Sequence, residues 1–230
     1  MLIPFGEILK KYKIEPKGII HCGAHYAEEH DDYVSYGCNK FIYIEPCRDA
    51  FNKMCEKFEL KGVKGVNAWN DREFFKCQVE GDNIFLINVA CGAESKVGVM
   101  YASANNQGQS NSLLEPNLHL EQHPEIVFGD AEAVKVRLLD NVLGDENECN
   151  ILAMDVQGYE GEVLKGATET LKHIDCIYTE VNRGETYKGN MLIEEMDEYL
   201  KDFTRVETYW PSTSWTWGDA CYVSRKILSL

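Results

Sequence analysis

A handful of positions in this sequence have residue types and spacings that can do chemistry. Gly23 closes the run GIIHCG, and a glycine there lets the backbone turn tightly beside a ligand. Glu45 closes the next apolar run, FIYIE, 22 residues after Gly23, which is the spacing of an acid that grips a ribose diol. Asn88 and Ala90 follow a third apolar run within IFLINVA, where they could border an adenine ring. Asp155 ends a fourth, ILAMDV; a carboxylate there is costly to bury without partners, and functional sites are where such groups collect. The competing reading makes Asp155 a helix cap that satisfies backbone N–H groups.

The charges around Gly23 discriminate between ligands. A dinucleotide brings a pyrophosphate, which needs several glycines and a helix N-terminus free of anions. Here Glu28, Glu29, Asp31 and Asp32 crowd the first turns instead. S-adenosylmethionine carries no phosphate, and its ammonium and sulfonium are cationic, so a single-glycine turn among acids suits it. The candidates to hold it are His21, Gly23, Ala24 and His25 around the turn, Glu45 and Pro46 at the second strand end, and Asn88 and Ala90 at the third. The bland alternative is that the acids only favour the positive end of a helix dipole.

These residues need a scaffold, and the alternation of runs supplies one. GIIHCG (18–23), FIYIE (41–45), IFLINVA (84–90), ILAMDV (151–156) and IDCIYTEV (174–181) read as buried strands. Helical spacing over Arg48 to Leu60 and over Gly158 to His173 supplies crossovers. The pattern predicts an α/β fold: a mostly parallel sheet, helices on both faces and an antiparallel edge formed by the C-terminal run TYWPSTSWTWGDACYVSR. Residues 1–17 predict a short helical extension packed on the domain. The polar stretch 101–130 lacks sustained periodicity and reads as a loop covering the active site, or else as a plain surface insertion. No linker or repeat divides the chain, so 1–230 reads as a single domain.

Composition narrows the partners. The 38 acidic against 23 basic side chains, net −15, disfavour a phosphate backbone, so no nucleic acid is expected. Nine scattered cysteines show no zinc spacing and fit reduced thiols in a cytoplasmic setting. No run approaches membrane-spanning length, so no membrane partner is expected. A monomer and a homodimer fit equally.

In order along the chain, IIHCGAHYAEE, FIYIEPCRDAF, INVACG and MDVQGYEGEVLKGA followed by TEV resemble the FkbM family of methyltransferases, from Gly18 to about Val181. SNSLLEP at 110–116 looks like that family's serine-rich segment, and VKVRLLD at 134–140 like the strand leading into the last block. The resemblance implies a Rossmann-like class I methyltransferase fold and S-adenosylmethionine-dependent methyl transfer to oxygen, often a sugar hydroxyl of a glycan or glycosylated natural product. The family often has an acid where this chain has His21, and a glutamate where it has Gln157; Glu28 or Glu45 could compensate for the first.

Removing a proton from a hydroxyl calls for a general base. Asp155 is the first candidate and His119 the second, with Asn111 and Ser112 placed to orient donor or acceptor. Asp155, Glu160 and Glu180 could alternatively hold Mg²⁺ or Mn²⁺ near the acceptor, although Glu160 reads equally as surface charge; metal dependence stays open. Tyr209, Trp210, Trp215 and Trp217 read as exposed aromatics that stack on a sugar or, as the readier reading, pack an interface. The rival functions are a catalytically silent binding module and an NAD-dependent oxidoreductase.

Overall fold

The computed structural model describes residues 2–58, 75–78, 83–144 and 148–229, with no side-chain description at 75–77. The strands are β1 (Ile19–Cys22), β2 (Phe41–Ile44), β3 (Phe75–Gln78), β4 (Ile84–Asn88), β5 (Ala90–Cys91), β6 (Lys96–Ser103), β7 (Phe128–Arg137), β8 (Ile151–Met154), β9 (Cys176–Asn182), β10 (Phe203–Tyr209) and β11 (Trp217–Ser224). The helices are α1 (Phe5–Lys11), α2 (His30–Ser35), α3 (Arg48–Lys57), α4 (Leu118–Gln122), α5 (Leu139–Leu143), α6 (Glu160–Lys165), α7 (Ile193–Tyr199) and α8 (Arg225–Leu228).

Eight strands form the main sheet in the order β10-β11-β9-β8-β1-β2-β4-β3. The five central strands are parallel: β1 pairs with β2 (Ile19↔Phe41) and with β8 (Ile19↔Ile151), β2 with β4, and β8 with β9. The expected antiparallel edge is present as β11 against β9 and β10 against β11. The opposite edge is antiparallel too, because β3 runs against β4.

Because the strands are apolar on both faces, alternate residues feed two separate cores. Ile20, Ile42, Leu152 and Ile177 pack with Val163 and Leu164 of α6 and Val142 of α5, while Ile19, Tyr43, Ile151 and Cys176 pack with α1, α2 and α3 through Phe5, Tyr33 and Met54. The N-terminal helical expectation holds: Phe5, Ile8 and Leu9 of α1 are buried, and Phe5 meets Tyr178 edge-on at 5.4 Å.

Several expectations need correction. The 158–173 segment is not one helix: α6 stops at Lys165, and a separate helical turn covers Thr170–His173. The 48–60 helix ends at Lys57, and Leu60 lies outside the described residues. VKVRLLD does supply a strand that precedes the last block, but that strand is not part of the main sheet. Its strand, β7, belongs to a second sheet of order β5-β7-β6, in which β6 and β7 form a long antiparallel ribbon. The 101–130 segment is therefore the end of β6, a connection carrying the short helix α4, and the start of β7. Its polar alternation hid this, because the ribbon exposes most of one strand and so lacks a strong apolar period.

Candidate active site

The chain leaves β1 toward β2 and β4, then returns to the other side of β1 as β8 and β9, so the β1 and β8 ends flank a topological switch point. At that point lies a cavity of about 580 Å³. Gly23 and Asp155 meet there. Gly23 has φ +77°, and a Cβ on it would stand 1.8 Å from the Asp155 carbonyl oxygen, so the glycine is required by the neighbouring strand end as well as by any ligand.

On the β2 side, the Glu45 carboxylate is buried and takes one backbone N–H on each oxygen: His25 N at 2.9 Å on Oε2 and Cys47 N at 2.8 Å on Oε1. Burial pushes its pKa up to about 7, against the pull of those two donors. Asn88 does not line the cavity. Its Nδ2 donates to the carbonyls of Glu45 and Pro46, both at 2.9 Å, and so fixes the backbone on which Glu45 stands. Ala90 and Pro46 do line the wall.

His25 and Ala27 are non-glycine residues with positive φ, +47° and +54°, a local strain of about 1–3 kcal/mol each that the surroundings must hold. The His25 ring spans from Glu28 Oε1 (2.6 Å) to the carbonyl of Gln107 (2.9 Å), tying the turn to the β6–β7 connection. Burial opposes its charge, but Glu28 and the Gln107 carbonyl raise its pKa. His21 is buried and its pKa is lowered by that burial, with the Tyr33 hydroxyl 3.2 Å from Nδ1.

On the floor, the Asp155 side chain is open to the cavity, but surrounding protein leaves it poorly solvated. That desolvation, reinforced by Asp219 and Glu29, pushes its pKa up to about 6, with the Gln157 amide pulling the other way. Glu160 is buried, not surface charge: its Oε1 accepts from Val156 N (3.0 Å) and Gly158 N (3.3 Å), and burial pushes it up to about 8. Glu180 is raised by burial and by Asp155, Glu160 and Asp219. Among the described residues, no three His, Cys, Asp or Glu side chains are arranged to hold a metal ion, and this includes the alternative set Asp155, Glu160 and Glu180.

The β9 and β11 side is aromatic. His119, His123, Tyr187 and Trp217 line it. His119 is buried with Nε2 3.2 Å from Ser110 Oγ and Nδ1 without a partner; burial, and then His123, push its pKa down to about 4, so it is a neutral base. Trp217 stacks on Trp215 (centroids 5.4 Å apart) and donates Nε1–H to His123 Nε2 at 3.1 Å. Of the four aromatics expected at the surface only Tyr209 is exposed; Trp210 packs under the Arg183 guanidinium, 4.6 Å from its ring centre. Ser112 also lies behind the wall. Its Oγ donates to the Gln157 carbonyl at 2.6 Å and so pins the ribbon to the floor. Asn111 lines the cavity, but its Oδ1 is occupied by Ser103 N at 2.8 Å.

A strand-end cavity walled by acids, on a sheet of this order, brings the comparisons with known proteins to bear. The family model described as Methyltransferase FkbM domain matches residues 21–206. The chain belongs to the FkbM methyltransferase family. The chain is similar to the 2-O-methyltransferase NoeI of Sinorhizobium fredii (strain NBRC 101917 / NGR234), at 30% identity over 102 residues. That match covers 44% of this chain and 42% of NoeI, so less than half of the curated relative is spanned. Among solved structures, it resembles the methyltransferase FkbM of Methylobacillus flagellatus KT with TM-score 0.52 and 13% identity, covering 91% of this chain and 44% of that one. The magnesium protoporphyrin IX methyltransferase of Synechocystis PCC 6803, solved with bound SAM, matches with TM-score 0.47 and 8% identity over 96% of this chain and 76% of that one. The fold is that of class I methyltransferases.

The FkbM match includes Gly23, Glu45, Asp155, Gln157 and Tyr187 but stops short of Trp217 and Asp219. Sequence reasoning missed Tyr187 and His123 as cavity residues. The signal for Tyr187 was faint: a single aromatic in the polar run NRGETYKGN, where a fully buried ring needs an anchor.

Proposed function

We propose that the protein transfers a methyl group from S-adenosylmethionine to a sugar hydroxyl of a glycan or glycoconjugate. The observation that carries this reading is the cavity's charge: Glu28, Glu29, Glu45, Glu125, Asp155 and Glu180 line it, and neither Lys nor Arg is among its described lining. Such a wall favours a cationic, phosphate-free donor and penalises a pyrophosphate.

In this reading Glu45 receives the donor's ribose diol, with Ala90 and Pro46 beside the adenine, and the Gly23–Ala24–His25 turn lies along the methionine end. His21 is neutral, so the donor's ammonium is met by Glu28 and Glu29 around it. Bound S-adenosylmethionine supplies an electrophilic methyl group on a cationic sulfur. The acceptor oxygen forms the new C–O bond as the C–S bond breaks, and the hydroxyl proton passes to Asp155. His119 is the second candidate for that proton. Trp217 and Tyr187 offer faces to a sugar ring.

Calorimetric titration with S-adenosylmethionine, S-adenosylhomocysteine and NADH tests the donor, and release of S-adenosylhomocysteine with a panel of methyl glycosides tests the acceptor. Micromolar binding of the first two and none of NADH is expected. Absence of binding to both sulfur ligands would sink the reading.

A further inference from the structure

The feature the methyl-transfer reading does not absorb is the turn between β8 and α6. Gln157 has φ +53° and Gly158 φ +91°, two consecutive left-handed residues that fold the Gln157 side chain back over Asp155. A left-handed glutamine costs about 1–2 kcal/mol of local strain, so the surroundings must impose it. They do so at three atoms. The Gln157 carbonyl accepts from Ser112 Oγ at 2.6 Å, its Oε1 accepts from the Tyr187 hydroxyl at 2.9 Å, and its Nε2 donates to Asp155 Oδ1 at 2.6 Å and Glu180 Oε2 at 3.2 Å.

The orientation of the amide follows from its neighbours. Two carboxylate oxygens flank Nε2, and only an N–H₂ group is tolerated between them; the Tyr187 O–H then meets the carbonyl end. Both amide hydrogens are thus used to bridge two acids that would otherwise repel each other. Asp155 lines the cavity, and its hydrogen bond from Gln157 falls on Oδ1, with none to Oδ2 among the described residues.

We propose that Gln157 is the positioning residue of this site: its amide holds Asp155 beside Glu180 without a cation and leaves one Asp155 oxygen free for the acceptor hydroxyl. The inference rests on Asp155 being the base. A lysine or arginine at 157 would place a full positive charge against that base and weaken it far more than the amide's single hydrogen bond does, and a glutamate would bring a third acid against it. The other ionisable groups facing Asp155 are Glu45 from β2, His21 from β1, Glu29 ahead of α2, Glu160 from α6, Glu180 from β9, Asp219 from β11 and the Tyr187 hydroxyl. The positive charge that acts on Asp155 comes from the chain's N-terminal ammonium, which lowers its pKa and to which Gln157 adds none.

The test reads Asp155 directly. The full chain, labelled with ¹³C at aspartate carboxyls and saturated with S-adenosylhomocysteine, is titrated by NMR; the Asp155 resonance is assigned by its loss in Asp155→Asn. Gln157→Glu is expected to move the Asp155 midpoint up by about one pH unit or more, as like charges in contact do. Gln157→Met, neutral and similar in length, is expected to move it up by less, because only the amide donor is lost. In turnover of a methyl glycoside, the acid limb of the kcat profile should follow the same shifts. A glutamine that merely supported the fold would lower Tm and leave the midpoint in place, and an unmoved midpoint in both variants would overturn the inference; if Gln157→Glu does not fold, Gln157→Met carries the same readout. Full turnover by Asp155→Asn would instead remove Asp155 as the base while the NMR shifts still report on Gln157.

Discussion

The two sides of the cavity are built in different ways. The β1, β2 and β4 side is backbone work: a glycine turn, a carboxylate clamped by two main-chain N–H groups, and an asparagine that holds the carbonyls beneath it. The β9 and β11 side is side-chain work, made of rings packed together from α4 and the residue after it, the start of β11 and the residues before it, and the connection after β9. Asp155 and Gln157 stand at the seam. In the proposed reading, a donor that never changes is met by fixed main-chain groups, whereas an acceptor surface made of side chains can vary with the acceptor while the sheet stays the same.

This contrast is broken most severely at the seam. Asp155→Asn is expected to lower kcat by about 10²–10⁴-fold, the usual worth of a general base, while the Kd for S-adenosylhomocysteine changes by less than about twofold. Near-normal turnover would reassign the base, with His119 next. On the backbone side, Glu45→Ala should weaken S-adenosylhomocysteine by roughly ten- to a hundredfold, since it deletes charged hydrogen bonds and frees the His25 and Cys47 N–H groups. Unchanged calorimetry would place the donor elsewhere. On the ring side, Trp217→Ala should raise KM for a methyl glycoside by roughly fivefold with donor binding intact, in line with about 1 kcal/mol for an aromatic contact. A loss of donor affinity of equal size would erase the division between the two sides. Ser112→Ala should cost about 1 kcal/mol of stability by chemical denaturation and little donor affinity, because the hydroxyl serves the Gln157 carbonyl.

The same division explains what could be read in the sequence. The backbone side was legible because its residues punctuate apolar runs: Gly23, Glu45 and Asp155 each stand at a strand end, and strand ends are local features. Asn88 was found at the right place with the wrong role, since spacing locates a side chain but not the carbonyl it bonds. The ring side was largely hidden. His119 and Tyr187 lie in polar segments, and each meets partners distant in the chain: His119 packs on Tyr187, and the Tyr187 hydroxyl bonds Gln157. Glu160 looked like surface charge because a helix face cannot be assigned from six residues; in the folded chain its carboxylate turns inward to cap its own turn. The second sheet was missed because β5 has only two residues and β7 is mostly solvated.

The smallest effect separates the cavity's need for acids from the needs of the fold. Glu160, Glu45 and Asp155 have folded-state pKa values of about 8, 7 and 6, all above those of a free carboxyl. For such groups the folded state binds more protons than the unfolded chain, so stability falls as pH rises from the unfolded value, near 4.5 for a glutamate, through the folded one. The ligand-free protein should therefore be most stable near pH 5 and lose stability steadily toward pH 8. Glu160→Gln keeps an oxygen for the Val156 and Gly158 N–H groups but cannot ionise, so it should raise Tm by about 2–4 °C near pH 8.5 and leave it almost unchanged near pH 5. A scanning-calorimetry gain of equal size at both values would mean that Glu160 is destabilising by shape rather than by charge. Because Glu160 serves the turn that carries Gln157, a gain confined to high pH would also show that this turn carries the cost of a carboxylate kept out of water beside Asp155.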